Sequence, residues 1–444
     1  MLSRRLFLSG TAAFAVAGPS SALALTEPDP ANLPLDPTMR ASRIAWLKDH
    51  ADTFDSLDFD DDEFDDLEGF GKAIGDARIV MLGEQMHGDG TTRRAHARLV
   101  RYLHEEKGFD VLALESGLYS MRKIWDRLRA GETVRRAMGS WADTREMRPL
   151  FEYVGARARR RRPLELAGID CIFDGHPARD RLVDDLTAFL ATHGVDTGAI
   201  ADWSQFCAAL EKIADRSNMF RWKFSEEEQR LVLSTIDTLA TRIALTPGTD
   251  AAFWRQLFKS STGFAQHILQ LMAATDRERM AFNLRDMAMA DNLMWLAREA
   301  HPQRKIIVLA ATGHIIRNPQ MIDTMMPERP YPAGQTTMGH LVSQALGTAV
   351  YSVGFTAYEG HYGRLGDEPT AIAPPARGSL EDLWGATTQQ NAFLDLRRIP
   401  AGGEWLQAPL ISRPLGYLPV MTDWSKTLDA MVFTRTMRPV RPTE

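Results

Sequence analysis

The feature that most constrains this chain is a pair of short apolar runs with a helical pattern between them. Arg78-Ile79-Val80-Met81-Leu82 ends at Gly83, and Val111-Leu112-Ala113-Leu114 ends at Glu115. Each suits a strand buried on both faces, because neither alternates between apolar and polar residues. From Thr91 to Lys107 the apolar residues Ala95, Leu99, Val100 and Leu103 recur at helical spacing, and Gly108 stands where a helix should stop. A strand, a helix and a strand within about forty residues form a βαβ unit, which requires parallel strands and a right-handed crossover. Further buried strands are expected at Leu164–Ile169, Lys305–Ala311 and Ala349–Thr356. The expected fold class is therefore α/β, with a parallel-sheet body.

Between Gly175 and His301 the strand pattern disappears. Helical segments there carry Trp203, Phe206, Phe220, Trp222, Phe253, Trp254 and Phe264. Aromatic stripes at helical spacing usually mark core rather than a ligand box. Residues 175–301 thus read as a large helical insertion in an α/β body made of residues 65–174 and 302–440. Residues 25–64 read as a linker followed by an acidic segment. Asp58, Asp60 and Asp62 have the spacing of a calcium loop, but Glu63 stands where glycine is needed and Gly69 where glutamate is needed. A solvated turn leading into a short helix, with Leu67, Phe70 and Ile74 inward, is the expectation. Arg157 and Arg159 to Arg162 read as the solvated end of a helix, with an anion site as the alternative.

The first residues suggest an address. Ser3-Arg4-Arg5-Leu6-Phe7-Leu8 is a basic head with twin arginines, and an Ala/Gly-rich stretch leads to Ala22-Leu23-Ala24. Residues 1–24 resemble a twin-arginine signal peptide, recognised by an export machinery that moves folded proteins. The apolar run is shorter than the roughly 20 residues a membrane span needs, so no stable membrane insertion is expected after its removal. A periplasmic or otherwise exported protein follows. The net charge of −6 over 444 residues argues against a protein that coats nucleic acid or anionic membrane. Cys171 and Cys207 form no CxxC, and their pairing is not readable from spacing.

Candidate chemistry collects at predicted strand ends. Glu84 and His87 follow one strand, Glu115 ends the next, Asp170 ends a third, and His314 follows the Lys305–Ala311 strand. Open parallel sheets bind ligands outside the carboxyl ends of their strands. Each residue has a plainer reading: Glu84 as a helix cap, His87 as an ordinary loop histidine, Asp170 as a turn residue. Glu115 is harder to dismiss, since a carboxylate in an apolar stretch is costly without a partner. There is no Gly-x-Ser-x-Gly elbow, no His-Glu-x-x-His, no phosphate-cradling loop and no dinucleotide fingerprint. A histidine–carboxylate set suited to activating water remains.

The segments Gly83-Glu84-x-x-His87-Gly88, Glu105-Glu106-Lys107-Gly108-Phe109, and the strand ending at Glu115 resemble the opening of the erythromycin esterase family. The likeness continues through Trp141 and Glu146, Gly168-Ile169-Asp170, and Arg285-Asp286-x-x-Met289-Ala290-x-Asn292. It extends to Gly313-His314, Tyr351 to Phe355, Phe393 to Arg397 and the Phe433 segment, covering about residues 65–440. The resemblance implies an esterase acting on a macrolide lactone or another small-molecule ester, with no added cofactor or metal. By position, His87 would be the general base, Glu84 and Glu115 would orient it and bind the water, and His314 would face the carbonyl. Arg93 or Arg94 would assist from the first helix, with Asp170 and Arg285 in support. The family pattern Ala-His-Asn-x-His is here Ala310-Ala311-Thr312-Gly313-His314, a departure that bears on whether macrolides are cleaved. Two further readings stay open: a metal-dependent hydrolase, since His and carboxylate also ligate metals, and a non-catalytic binding protein for haem or a similar ligand.

Overall fold

The computed structural model of the chain describes residues 35–133, 143–215, 224–273, 277–325 and 334–443. The signal-like segment 1–24, Trp141, Phe220 and Trp222 lie outside the described residues. The chain divides into two compact units. One holds the described parts of Phe14–Ala113, Ser140–Glu165 and Gln303–Glu444; the other holds those of Leu114–Gly139 and Leu166–Pro302.

The first unit is built on a sheet. Its strands are β1 (Asp52–Thr53), β2 (Ile79–Glu84), the start of β3 (Phe109–Gly117), the first residue of β4 (Glu165–Asp170), β5 (Lys305–Ala311), β6 (Val350–Tyr362), β7 (Thr370–Ala371), β8 (Asn391–Asp395) and β11 (Ala430–Met437). A separate hairpin pairs β9 (Leu410–Leu415) with β10 (Leu418–Thr422). The sheet runs β1-β8-β11-β6-β2-β5-β3, with β7 beside β6. β2 is parallel to both β5 and β6, and every residue of β2 is buried, which explains its unbroken apolar run. The expected parallel centre is present. The antiparallel flank, where β8 meets β1 and β11, did not show in the apolar pattern, because those strands are short or of mixed polarity.

The crossover helix spans Gly90–Lys107 and ends at Gly108, whose φ of 74° is the left-handed conformation that glycine adopts without strain. The stretch expected to be linker includes a helix instead. Asp36 caps Pro37–His50 by accepting the N–H groups of Thr38 and Met39, proline occupies the first turn, and Trp46 and Leu47 are buried. The acidic segment also departs from a solvated turn. Arg98, only 2% exposed, donates to both oxygens of Asp66 at 2.7 and 2.8 Å, and to the carbonyls of Ser56 and Glu63. Its partner lies too far along the chain for local charge density to reveal the clamp. Leu67, Phe70 and Ile74 are inward as expected. Arg159, Arg160, Arg161 and Arg162 are exposed, while Arg157 pairs with Glu105 at 2.9 Å.

The second unit holds the carboxyl ends of β3 and β4, and is otherwise helical among the described residues. Its helices include Leu118–Ala130, Gly175–Thr192, Trp203–Ala214, Glu226–Arg242, Thr249–Ala273 and Arg277–Trp295. Phe189, Phe206, Leu239, Trp254, Phe258 and Phe264 share one core, with Phe189 stacked on Trp254 at 5.3 Å, so these aromatic stripes are packing residues. Cys171 and Cys207 are both free thiols. Among the described residues no helix is long and apolar enough to cross a membrane.

Candidate active site

Glu84 is the last residue of β2 and lies in register with Ala311, the last residue of β5. Parallel strands that end together send their following segments out side by side. The segments bearing His87 and His314 therefore leave the same edge of the sheet. Glu84 is fully buried. One of its oxygens is hydrogen-bonded to His87 Nδ1, and the other lies 3.6 Å from Arg93 Nε. Burial alone would raise the Glu84 pKa, but the positive character of His87 and then of Arg93 holds it below the usual carboxylate value. Glu84 is therefore ionised at neutral pH. A carboxylate on Nδ1 selects the tautomer in which Nδ1 carries hydrogen and Nε2 carries the basic lone pair. The His87 side chain keeps 14% exposure.

The structure separates the two arginine candidates. Arg93 is 2% exposed and faces Glu84, whereas Arg94 turns to Asp58 at the surface. Helical spacing carries the distinction, since Arg93 shares its face with buried Ala97 and Val100. His314 is buried within the short helix Thr312–Ile315 after β5. Thr312, at the position where the chain departs from the family pattern, donates its hydroxyl to the Glu84 carbonyl at 3.1 Å. A side chain at Gly83 would place Cβ 2.5 Å from that hydroxyl oxygen, so glycine is required by the close approach.

Three residues not singled out from the sequence support this loop. His96 Nε2 meets the Gly83 carbonyl at 3.0 Å, and burial pushes this histidine down to about 4, so its ring is neutral. Asp89 is fully buried; one oxygen accepts the Met86 N–H and the other the Tyr417 hydroxyl, each at 2.8 Å. Burial pushes Asp89 up to about 8, although the Met86 and Tyr417 hydrogen bonds favour its charged form. Asp89 stood within reach of the Glu84–His87 motif. No local spacing connects that motif to Tyr417, in the turn between β9 and β10.

In the second unit, Glu115 and Asp170 share Arg285. Arg285 Nη2 lies 2.8 Å from Glu115 and 2.5 Å from Asp170, and its Nε lies 3.2 Å from both Asp170 oxygens. All three are buried. Burial would lower the Arg285 pKa, but Asp170 and then Glu115 drive it well upward. Asp170 thus belongs to a buried ionic cluster as well as a turn, where it accepts the Ile172 N–H at 3.4 Å. Nearby in sequence, burial pushes the Cys171 thiol up, away from a reactive thiolate. Glu84, His87 and Arg93 are brought together in one unit; Glu115, Asp170 and Arg285 are brought together in the other. Among the described residues, no group of three or more His, Cys, Asp or Glu side chains is arranged to hold a metal ion.

The sequence profile of the erythromycin esterase family matches residues 104–437. The chain belongs to the erythromycin esterase family. Its relatives include the Putative hydrolase YbfO of Bacillus subtilis (strain 168), 26% identical over 418 residues that span 89% of this chain and 91% of that protein. Erythromycin esterase type II of Escherichia coli is 23% identical over 395 residues, 80% of this chain and 89% of that one. A mutant of the erythromycin esterase EreC in its open conformation has the same fold, with a TM-score of 0.66 at 18% identity over 86% of this chain and 96% of that chain. The mixed α/β architecture with a mostly parallel central sheet is therefore shared with an erythromycin esterase. The profile begins after Glu84, His87 and Arg93, so their grouping stands on the geometry of this family member rather than on the match.

Proposed function

We propose that this erythromycin esterase family member is a hydrolase that cleaves a carboxylic ester or macrolide-like lactone with water activated by His87. Family membership supports a hydrolase, and the names of the relatives support an esterase with a small-molecule substrate. One observation carries the mechanism: a fully buried, ionised Glu84 bound to His87 Nδ1 and backed by Arg93. With Nδ1 occupied, Nε2 takes a proton from water as the water oxygen attacks the carbonyl carbon. The Glu84 charge stabilises the imidazolium that results, and His87 then returns the proton to the leaving alkoxide. Arg93, 3.6 Å from the other Glu84 oxygen, adds to the field that favours the carboxylate. His314 is assigned to the carbonyl oxygen. Glu115, Asp170 and Arg285 are assigned as a supporting set on which activity depends. We further propose that the protein acts after export, on the twin arginines Arg4 and Arg5. Replacing both by lysine should retain it in the cytoplasm, and normal delivery of that variant would remove the proposal.

The deciding experiment incubates purified protein with macrolides and simple esters, with and without chelator, and follows hydrolysis by mass. Turnover that survives chelator and is lost in His87→Ala supports activated water. Turnover abolished by chelator and restored by zinc or manganese replaces it with the metal-dependent reading. Ligand binding without turnover of any ester or lactone replaces it with the binding-protein reading.

A further inference from the structure

The loop that carries His87 lies between β2 and the helix Gly90–Lys107, so repeating backbone hydrogen bonds do not set its shape. Its far side is anchored through the backbone. Gly88 accepts from the N–H groups of Gly363 and Val440 at 3.2 and 3.1 Å, and Gly90 donates to the Arg438 carbonyl at 2.8 Å. A Cβ on Gly88 would come within 2.4 Å of the Gly363 backbone, so the chain is tightly enclosed there. On the near side, the Met86 N–H, one residue before His87, donates to an Asp89 oxygen at 2.8 Å. The second oxygen of Asp89 is held by Tyr417. Tyr417 is itself constrained, at a φ of 61° and with its ring stacked on Tyr362 at 5.0 Å.

We propose that Asp89 and Tyr417 are positioning residues for His87: the Met86–Asp89–Tyr417 clasp fixes the turn that presents Nδ1 to Glu84. The idea rests on the reading of His87 as the base. Two donors, the Met86 N–H and the Tyr417 hydroxyl, converge on one side chain, and a carboxyl group offers an oxygen to each. An asparagine offers one oxygen, so it cannot serve both. A ring whose turn loses one of these ties can rotate or shift, and misplacement by about an ångström can cost about 10²-fold in rate. Substrate binding by other surfaces is left intact, so the loss falls on kcat rather than KM.

Tyr417→Phe keeps the ring and its stacking on Tyr362 and removes the hydroxyl; Asp89→Asn keeps size and removes one acceptor. Two measurements are made on each: kcat and KM for an ester that the wild type hydrolyses, and the ring resonances of His87 in protein carrying 13C-histidine, assigned by loss of the signal in His87→Ala. The expected result for Tyr417→Phe is a kcat lowered about 10-fold to 100-fold with KM within about twofold, together with a displaced His87 resonance. The double variant with His87→Ala should be no slower than His87→Ala alone. A Tyr417→Phe protein with wild-type kcat and an unmoved His87 resonance overturns the clasp while leaving His87 as base. Should His87→Ala keep the wild-type rate, or should the wild type turn over no ester, the base assignment falls. The resonance then decides the clasp by itself: displaced upholds it, unmoved overturns it. If Tyr417→Phe does not fold, Asp89→Asn is read by the same criteria.

Discussion

The Glu84 loop and the Arg285 cluster both bury ionised side chains, but they are built in opposite ways. In the loop, Glu84 and His87 are three residues apart, Arg93 sits one helical turn into the next element, and the histidine keeps partial exposure. In the cluster, Arg285 lies 115 residues from Asp170 and 170 from Glu115, and two carboxylates converge on one guanidinium. A group that exchanges a proton with a substrate must keep one nitrogen accessible. A guanidinium stays protonated, and converging carboxylates lock it further. Under the proposed mechanism the loop carries turnover, and the cluster supports activity through the cohesion of the helical unit.

The largest expected effect tests the first half of that contrast. His87→Ala should lower turnover by about 10²–10⁴-fold, the range of positioned proton transfer, and, because Arg93 still faces the buried Glu84, should lower the urea midpoint by less than Arg285→Leu does. A variant that unfolds, or that keeps most of its rate, breaks the comparison. Arg285→Leu tests the other half. It leaves two carboxylates buried without their shared cation, so unfolding free energy should drop by about 3–5 kcal/mol, read from urea denaturation. If Arg285→Leu is as stable as wild type, the cluster does not hold the unit together.

Protonation of His96 gives a comparable effect, confined to acid. The ring is neutral in the fold, with its pKa pushed down to about 4, whereas the unfolded chain protonates near 6.5. At this site the unfolded state binds more protons between those values, so the stability His96 contributes falls as pH drops from about 6.5 to about 4. The full window is worth on the order of 3 kcal/mol. Asp89, pushed up to about 8, contributes the opposite slope over the same range, so the His96 part is read as a difference: from pH 7 to 4.5 the urea midpoint of the wild type should drop relative to that of His96→Phe. An equal slope in the variant would assign the acid sensitivity elsewhere. The smallest effect belongs to Arg94. Its pair with Asp58 is exposed at both ends, so Arg94→Ala should change stability by less than about 1 kcal/mol and leave kcat alone. Arg93→Ala should lower kcat by contrast. Equal loss in both would erase the distinction drawn between them.

Much of this was legible without coordinates. The unbroken apolar runs of β2 and β5 read directly as strands buried on both faces, and Gly108 marked the end of the crossover helix. Placing Glu84, His87, Glu115, Asp170 and His314 at strand ends needed only those periods. Other features left no local trace. Asp66 sits in a carboxylate-rich stretch that reads as solvated, yet Arg98 clamps it from another element. Thr312 reads as a lost polar group, yet its hydroxyl holds the Glu84 carbonyl.

The sequence by itself determined the α/β class, the parallel centre, the helical character of the described part of residues 175–301 and the candidate residues at the strand ends. These follow from hydrophobic period and from residue conformational preference, which act within a turn of helix or a few residues of strand. Tertiary structure alone decided that Arg285 joins Glu115 to Asp170 and that Tyr417 reaches Asp89. Those pairings depend on which distant groups are excluded from water together. In a low-dielectric interior a charge must find a partner wherever the fold supplies one, and the order of residues along the chain does not say where that will be.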